Sequence, residues 1–505
     1  MSVVNLILSF LKSKRYKIKS FLTIYSTEIF FLTCCFFIYF GSTIYGFDEY
    51  YYFAQLISIF EDGDLYLYNN LKNFPIPVKR VPNQWSIGPA IFWAPFYIVG
   101  HIFYDTGVFV YSLLTGSYPD YILIFYYNIC LVNLGTLFYT YLGLKILGIS
   151  LKKYYKASFS PIWVQIPILL CTPLIFYVFD RPLMAHAIGF FVISILIYFW
   201  VVWHDYLTSK QIWWIFFMLG IASLVRWQNI LFGIIFLPQI YKTLREWWKK
   251  NKFAKILILI FFNLMVAISS FLVAFSPQLI AWWLQFGTLF SPLHDSSNFA
   301  YLFPNFYEVW FGQHGFFVWH PLTITFVLGL GLFFIFKNLN KFDGIVLFLG
   351  FFLQSYLWAI WFAPEAGCSF GMRGLIETLP LLSFGFVNII LIGKRLTKKN
   401  EIKSKIFFGF VIAFFSLMNL YLFALLGHFY GMPYLTCYST FRMEWFLNIN
   451  WELFLKRFNP GIFSLNLPFY RIEKIFVLLV LGFMVIYTSS KIRNLEKSIK
   501  IKKKF

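Results

Sequence analysis

The sequence predicts an all-α polytopic membrane protein, and three observations carry that prediction. Of 505 residues, 60% are hydrophobic and only 12% charged, with a mean hydropathy of +0.71. Apolar runs close to the ~20 residues that cross a bilayer recur along the whole length. No tract is polar enough for a separate soluble domain, so residues 1–505 read as one membrane-embedded domain. The 42 Lys and Arg, against 21 Asp and Glu, lie in short tracts beside the apolar runs. That is the positive-inside distribution and not a basic face for nucleic acid, which is therefore not an expected partner despite the net charge of +21.

Taken in order, Lys12, Lys14, Arg15, Lys17 and Lys19 follow a short apolar stretch with no small-residue cleavage site. The N-terminus is expected in the cytoplasm and the first span, 21–45, in the mature protein. That span runs outward and delivers Asp48 and Glu49 to the far side; nothing nearby explains Glu28 at its start. Residues 46–120 read as the first extracytoplasmic loop, with juxtamembrane helices. Residues 50–60 are apolar on nearly every side, as in a helix lying in the interface, and Pro75, Pro77 and Pro82 make 65–85 largely irregular. The stretch 86–115 is apolar enough to cross once. It carries Pro89 and Pro95, however, and a crossing would export Lys145, Lys152, Lys153 and Lys156, so it is expected to be re-entrant or juxtamembrane.

Spans are then expected at 121–147, 161–179 and 183–204. The run 211–241 begins beside Lys210 and ends in a tract from Lys242 to Lys255, so both ends want the same side. It is expected to be a hairpin of two short helices with Arg226 at its tip. Further spans at 256–283, 316–336, 344–362, 374–393, 406–427 and 474–490 bring the total to about twelve helices with both termini cytoplasmic, and leave 428–473 as a late extracytoplasmic loop. Cys34, Cys35, Cys130 and Cys171 fall in apolar runs, whereas Cys368 and Cys437 fall in outer loops and leave a disulfide open.

By this topology the outer side collects Asp48, Glu49, Lys79, Arg80, Asp180, Arg181, His186, Arg226, His294, Asp295, His314, His320, Glu365, Arg373 and Glu377. Several sit at helix ends, where a charge is costly unless solvated or put to use. Arg226 and Arg373 either face a protein-lined cavity or snorkel to the headgroups. Arg373 also opens a helix, whose N-terminus favours anions. The spacing of His294, His314 and His320 matches no metal-ligand motif, so no metal and no cofactor is expected. His314 is a hydrogen-bond donor to substrate or a satisfied interfacial histidine.

The stretch FDEYYYFAQLISIFEDGDLY, with Asp48-Glu49 after helix one and Gly63-Asp64 ending the next helix, resembles the first outer loop of the C-type glycosyltransferase superfamily. The likeness is greatest to bacterial relatives of the protein O-mannosyltransferases and of the lipid A aminoarabinose transferases. VKRVPNQWSIGPAIFWAPF, with Lys79 and Arg80, is similar to their juxtamembrane segment. Asp180-Arg181-Pro182-Leu183 resembles their acidic turn, and GIASLVRWQNILFGIIFLP their short-helix hairpin with a basic tip. The resemblance implies transfer of a sugar, with inversion, from a polyprenyl-phosphate carrier to a glycan, lipid or protein acceptor outside the cytoplasmic membrane. By that analogy Asp48 is the general base and Glu49 positions substrate. Lys79, Arg80, Arg226 and Arg373 are the cations for the departing phosphate, with Asp180, His186 and His314 as further binding residues. SPQLIAWWLQFGTLFSP lacks the basic residue that the aminoarabinose relatives carry after their seventh helix, so the phosphate ligands differ there.

Two other classes remain. A transporter or flippase of a lipid-linked or anionic solute expects charges at mid-membrane and repeat-related broken helices. An O-antigen ligase or polymerase expects its dominant site in the late loop, near Arg442, and not in the first.

Overall fold

Backbone polar groups cannot go unpaired inside lipid, so a chain this apolar crosses as helices. The structure, a computed structural model, describes residues 25–38, 47–67, 83, 85–117, 121–156, 159–289, 299–336, 339–361, 369–397, 400–429 and 468–502. Among these residues all regular structure is helical apart from one antiparallel bridge between Phe299 and Trp361.

Among the described residues seven helices are long and apolar enough to cross a membrane: Gly88–Thr115, Ile129–Tyr155, Phe253–Phe286, Lys341–Ala359, Arg373–Leu396, Ile402–Leu425 and Ile475–Leu495. There are eight if Phe306–Trp319 and Leu322–Phe334, bent by 107°, count as one. Three shorter apolar helices are Ser26–Phe37, His186–Val202 and Ser209–Val225. The chain is thus an all-α, multi-pass membrane protein. Among the described residues, some of the apolar runs expected as spans form short helices. His186–Val202, at 1.5 Å per residue, is about 26 Å long against a hydrocarbon core of about 30 Å.

The centre of the bundle is formed by Ile129–Tyr155, His186–Val202 and Arg373–Leu396, whose side chains are mostly buried. Gly88–Thr115, Phe253–Phe286 and Ile475–Leu495 lie outside them and expose broad apolar faces, as lipid-facing helices do. Close approach inside the bundle depends on small residues. Gly329 and Gly385 bring two helices together so tightly that a Cβ on either would overlap a backbone carbonyl of the other. The first and last described helices are tied through Glu28, buried in the Ser26–Phe37 helix. Its carboxylate meets Lys145 Nζ at 2.6 Å and accepts from the hydroxyls of Tyr141 and Ser489. The acidic residue that had no local explanation is therefore neutralised by a lysine more than a hundred positions away.

The hairpin forms: Ser209–Val225 is followed by a 3₁₀ helix, Trp227–Phe236, folded back on it, with Asn229 Nδ2 donating to Ala222 O at 3.0 Å and Gly233 packed on Leu219. Arg226 lies at the tip in extended conformation (φ −152°, ψ 121°). The stretch expected to be re-entrant or juxtamembrane is one unbroken helix, Gly88–Thr115, which is long and apolar enough to cross. Pro89 sits in its first turn, where no hydrogen bond is lost, and Pro95 is accommodated inside it. The span expected at 161–179 is not continuous: Ile162–Leu170 ends at Cys171, and Leu174–Phe179 restarts after Pro173. Cys34, Cys35, Cys130 and Cys171 are buried thiols. Cys368 and Cys437 lie outside the described residues, as does nearly all of the late loop.

The Gly385 contact makes a testable prediction. Gly385→Ala should lower stability in detergent by about 1–3 kcal/mol through overpacking. Gly331→Ala, on a helix position with open space around it, should be nearly neutral. Equal melting temperatures for the two variants would contradict the contact.

Candidate functional site

Asp48 and Glu49 occupy the first turn of the Phe47–Ile57 helix, where a carboxylate faces the positive end of the helix dipole. Neighbouring positions on a helix point in different directions, so the two acids meet different partners. Asp48 Oδ2 lies 3.0 Å from Arg373 Nη2, with both side chains 21% exposed. Glu49 turns inward, and its Oε2 accepts from Arg181 Nη1 at 2.9 Å. Arg181 Nε is also 3.5 Å from Asp180 Oδ2, so the Asp180-Arg181-Pro182 turn docks on this helix through one guanidinium.

The helix is held in place along its length. Tyr51 stacks on Trp85 with ring centres 4.3 Å apart, and Gln55 Nε2 donates to Trp85 O at 3.0 Å. Asn83 Nδ2 donates to Tyr51 O at 2.9 Å. Asn83 and Ile87 are themselves fixed to the far end of Phe253–Phe286: Gln285 Oε1 accepts from Asn83 N at 3.2 Å and Gln278 Oε1 from Ile87 N at 2.8 Å. After Ile57 one π-helical turn, Ser58–Asp62, ends at Gly63 (φ 69°), and Asp64 Oδ1 accepts from the Ser58 hydroxyl at 2.8 Å. The helix stops at Gly63-Asp64, as expected from sequence.

Beside it stands a second charged cluster. Arg226 Nη1 donates to Glu377 Oε1 and to His186 Nδ1, each at 2.8 Å. His186 Nδ1 also lies 3.2 Å from Glu377 Oε1, so the three side chains meet at one point. With its amide oxygen toward the guanidinium, Gln228 accepts from Arg226 Nη2 at 2.6 Å and Nε at 3.2 Å. The Trp358 indole packs against the same guanidinium, 5.7 Å from the ring centre. Glu377 reaches His186 because Gly189, one helical turn on, has no side chain: a Cβ there would meet the Glu377 carboxylate at 2.7 Å.

Tyr52 joins the two clusters. Burial raises its phenol pKa far above the ordinary range, and the charges acting on it are those of Arg226, Asp48, Arg373 and Glu377. It therefore stands as a neutral phenol within electrostatic reach of both pairs. Arg373 is also within electrostatic reach of His186 and His314.

Of the residues singled out from sequence, Asp48, Glu49, Asp180, His186, Arg226 and Arg373 come together. His314 is buried beside Trp319, ring centres 5.8 Å apart, and His320 is buried against Phe370. Lys79, Arg80, His294, Asp295, Glu365 and Arg442 lie outside the described residues. Sequence reasoning placed Glu377 and Arg181 on this side without giving them a role, and both turn out to be the partners that neutralise the site. The available signal was RGLIE: a carboxylate four residues into an apolar span needs a cation. Among the described residues, no group of three or more His, Cys, Asp and Glu could hold a metal ion.

No family model matches this sequence, and no curated protein matches it.

The pairs should differ in what they contribute to stability. Glu377→Ala removes the carboxylate from a buried guanidinium and should cost about 3–5 kcal/mol, and Glu49→Ala, which leaves Arg181 with Asp180 at 3.5 Å, should cost less. Asp48→Asn, at the more exposed pair, should cost about 1 kcal/mol or less. Thermal unfolding of the three variants in one detergent checks the order, and a Glu377→Ala protein as stable as Asp48→Asn would contradict it.

Proposed function

We propose that the chain is a glycosyltransferase that moves a sugar from a polyprenyl-phosphate carrier to an acceptor on the extracytoplasmic face of the cytoplasmic membrane. The observation that carries this reading is the contrast among ion pairs. Asp48–Arg373 is partly exposed, whereas Arg181–Glu49 and Arg226–Glu377 beside it are buried. One acid and one base can thus meet a substrate, while the others hold them in position. This supports the resemblance of the Asp48-Glu49 loop to the C-type glycosyltransferases, with a change in emphasis: Glu49, sequestered by Arg181, orients the helix and does not contact sugar.

The reaction follows from charge. The phosphate of the incoming lipid-linked sugar takes over Arg373, since phosphate and carboxylate compete for the same guanidinium fork. Asp48, released from its partner, accepts the proton of the acceptor hydroxyl as that oxygen attacks the anomeric carbon. The bond from the anomeric carbon to the phosphate oxygen breaks, inversion follows from attack opposite the leaving group, and polyprenyl phosphate departs with its charge on Arg373. Arg226, held over Trp358 by Glu377 and Gln228, adds positive potential without giving up its partners. Where the acceptor is an already ionised phosphate, Asp48 has no proton to take and serves to orient.

The test uses purified protein in proteoliposomes with radiolabelled polyprenyl-phosphate sugars and an envelope extract. Label should move to an acceptor. Asp48→Asn should reduce transfer by about 10²-fold or more with expression and melting temperature retained, and Arg373→Ala should raise the donor requirement. Near-normal transfer by Asp48→Asn rejects the base assignment. Movement of intact lipid-linked sugar across the bilayer, with no sugar–phosphate bond broken, supports a flippase in its place.

A further inference from the structure

The helix Leu237–Lys250, which continues the 3₁₀ arm of the hairpin, has three faces of different chemistry. Pro238, Gln239 and Thr243 are buried against the bundle, with Gln239 Nε2 donating to Trp200 O at 3.0 Å and the Thr243 hydroxyl accepting from Leu207 N at 2.7 Å. Leu237, Tyr241, Leu244 and Trp248 recur at helical spacing and form one apolar stripe, exposed to 41%, 58%, 39% and 66%. Each of these four side chains keeps more than a third of its surface open. Along one border run Arg245 and Lys249, with Lys250 at the helix end over the Tyr206 ring and Lys252 and Lys255 just beyond.

Charge and position together identify what covers the stripe. From 237 to 255 there are six basic residues and one acidic, Glu246, which already lies 3.4 Å from Lys249 and 3.3 Å from Lys250. Lys242 is engaged in the fold through His204 O at 2.7 Å, so the remaining cations face outward. Asn251 and Lys252 are extended, and the apolar helix Phe253–Phe286, long enough to span, starts next, with Phe253 edge-on to Trp248 at 6.2 Å. The stripe is therefore continuous with the start of a lipid-facing span, at the depth where Trp and Tyr sit among headgroups. An apolar stripe bordered by Lys and Arg is the composition of a helix lying in the plane of an anionic leaflet.

We infer that Leu237–Lys250 is an interfacial helix that binds anionic phospholipid headgroups, with Tyr241, Leu244 and Trp248 in the acyl boundary and Arg245, Lys249 and Lys250 on the phosphates.

The test places the full chain in phosphatidylcholine nanodiscs containing a trace of photoactivatable phosphatidylglycerol or, separately, of photoactivatable phosphatidylcholine. Cross-linked peptides are then mapped. The segment 241–255 should be labelled roughly fivefold more by the glycerol lipid than by the choline lipid, about the effect of one cation at a charged surface. Arg245→Gln, Lys249→Gln and Lys250→Gln together should bring the ratio close to one, with an unchanged melting temperature showing that the fold persists. Equal labelling of the unaltered chain by both lipids overturns the headgroup preference. Absence of any lipid label from 241–255, with Trp248 oxidised readily by water-borne radicals, overturns the membrane assignment and leaves a protein partner as the occupant of the stripe.

Discussion

A buried guanidinium needs an anion, and the Arg226–Glu377 pair is the contact on which the rest of the site depends. In a low-dielectric interior neither charge is stable alone. Their meeting therefore fixes the relative positions of three elements: the tip of the hairpin, the 3₁₀ turn Arg373–Thr378, and the start of the His186 helix. Arg373 lies four residues before Glu377 on that same turn. Holding Glu377 thus also sets where Arg373 projects, and with it the partner of Asp48. Burying one pair locates the other, more exposed one.

The hairpin extends this logic beyond the site. Its tip presents Arg226 to Glu377 while its returning arm runs into Leu237–Lys250, whose cations face outward. A single folded-back segment therefore reaches from the charged centre to the rim of the bundle. Gln239 and Thr243 hold the outer part through backbone groups near Trp200 and Leu207, on and just after the helix that begins with His186. The same two elements are thus joined at both ends.

How much of this could be read in sequence followed from how local each signal was. The hairpin was legible because basic residues at both ends of one apolar run forbid a single crossing, and the Gly63-Asp64 stop because a left-handed glycine ends a helix locally. Asp48 and Glu49 were legible as acids at the end of a span. Their partners were not: Arg181, Arg226 and Lys145 reach carboxylates 132, 151 and 117 positions away, and no periodicity encodes such pairings. Spans that are apolar on every side also carry no face information. Hence nothing local distinguished the unbroken Gly88–Thr115, which keeps Pro95 inside it, from 161–179, which breaks ahead of Pro173.

The two acids of the first loop differ in what their surroundings permit. Glu49 lies against Arg181 out of solvent, where exchanging that partner for a ligand would mean desolvating the ligand and giving up a buried ion pair. Asp48 and Arg373 keep part of their solvation, so separating them costs far less, and a dianionic or monoanionic phosphate can repay it with two hydrogen bonds to the same fork. The free carboxylate that results stands beside Tyr52, a phenol kept neutral by its burial, and near two guanidinium groups. A phosphate that takes over Arg373 leaves this carboxylate without its ion-pair partner and open to the acceptor hydroxyl. In the proposed reaction, donor binding itself therefore prepares the base, which is a reason for Asp48 to be ion-paired before substrate arrives and for Glu49 never to be released.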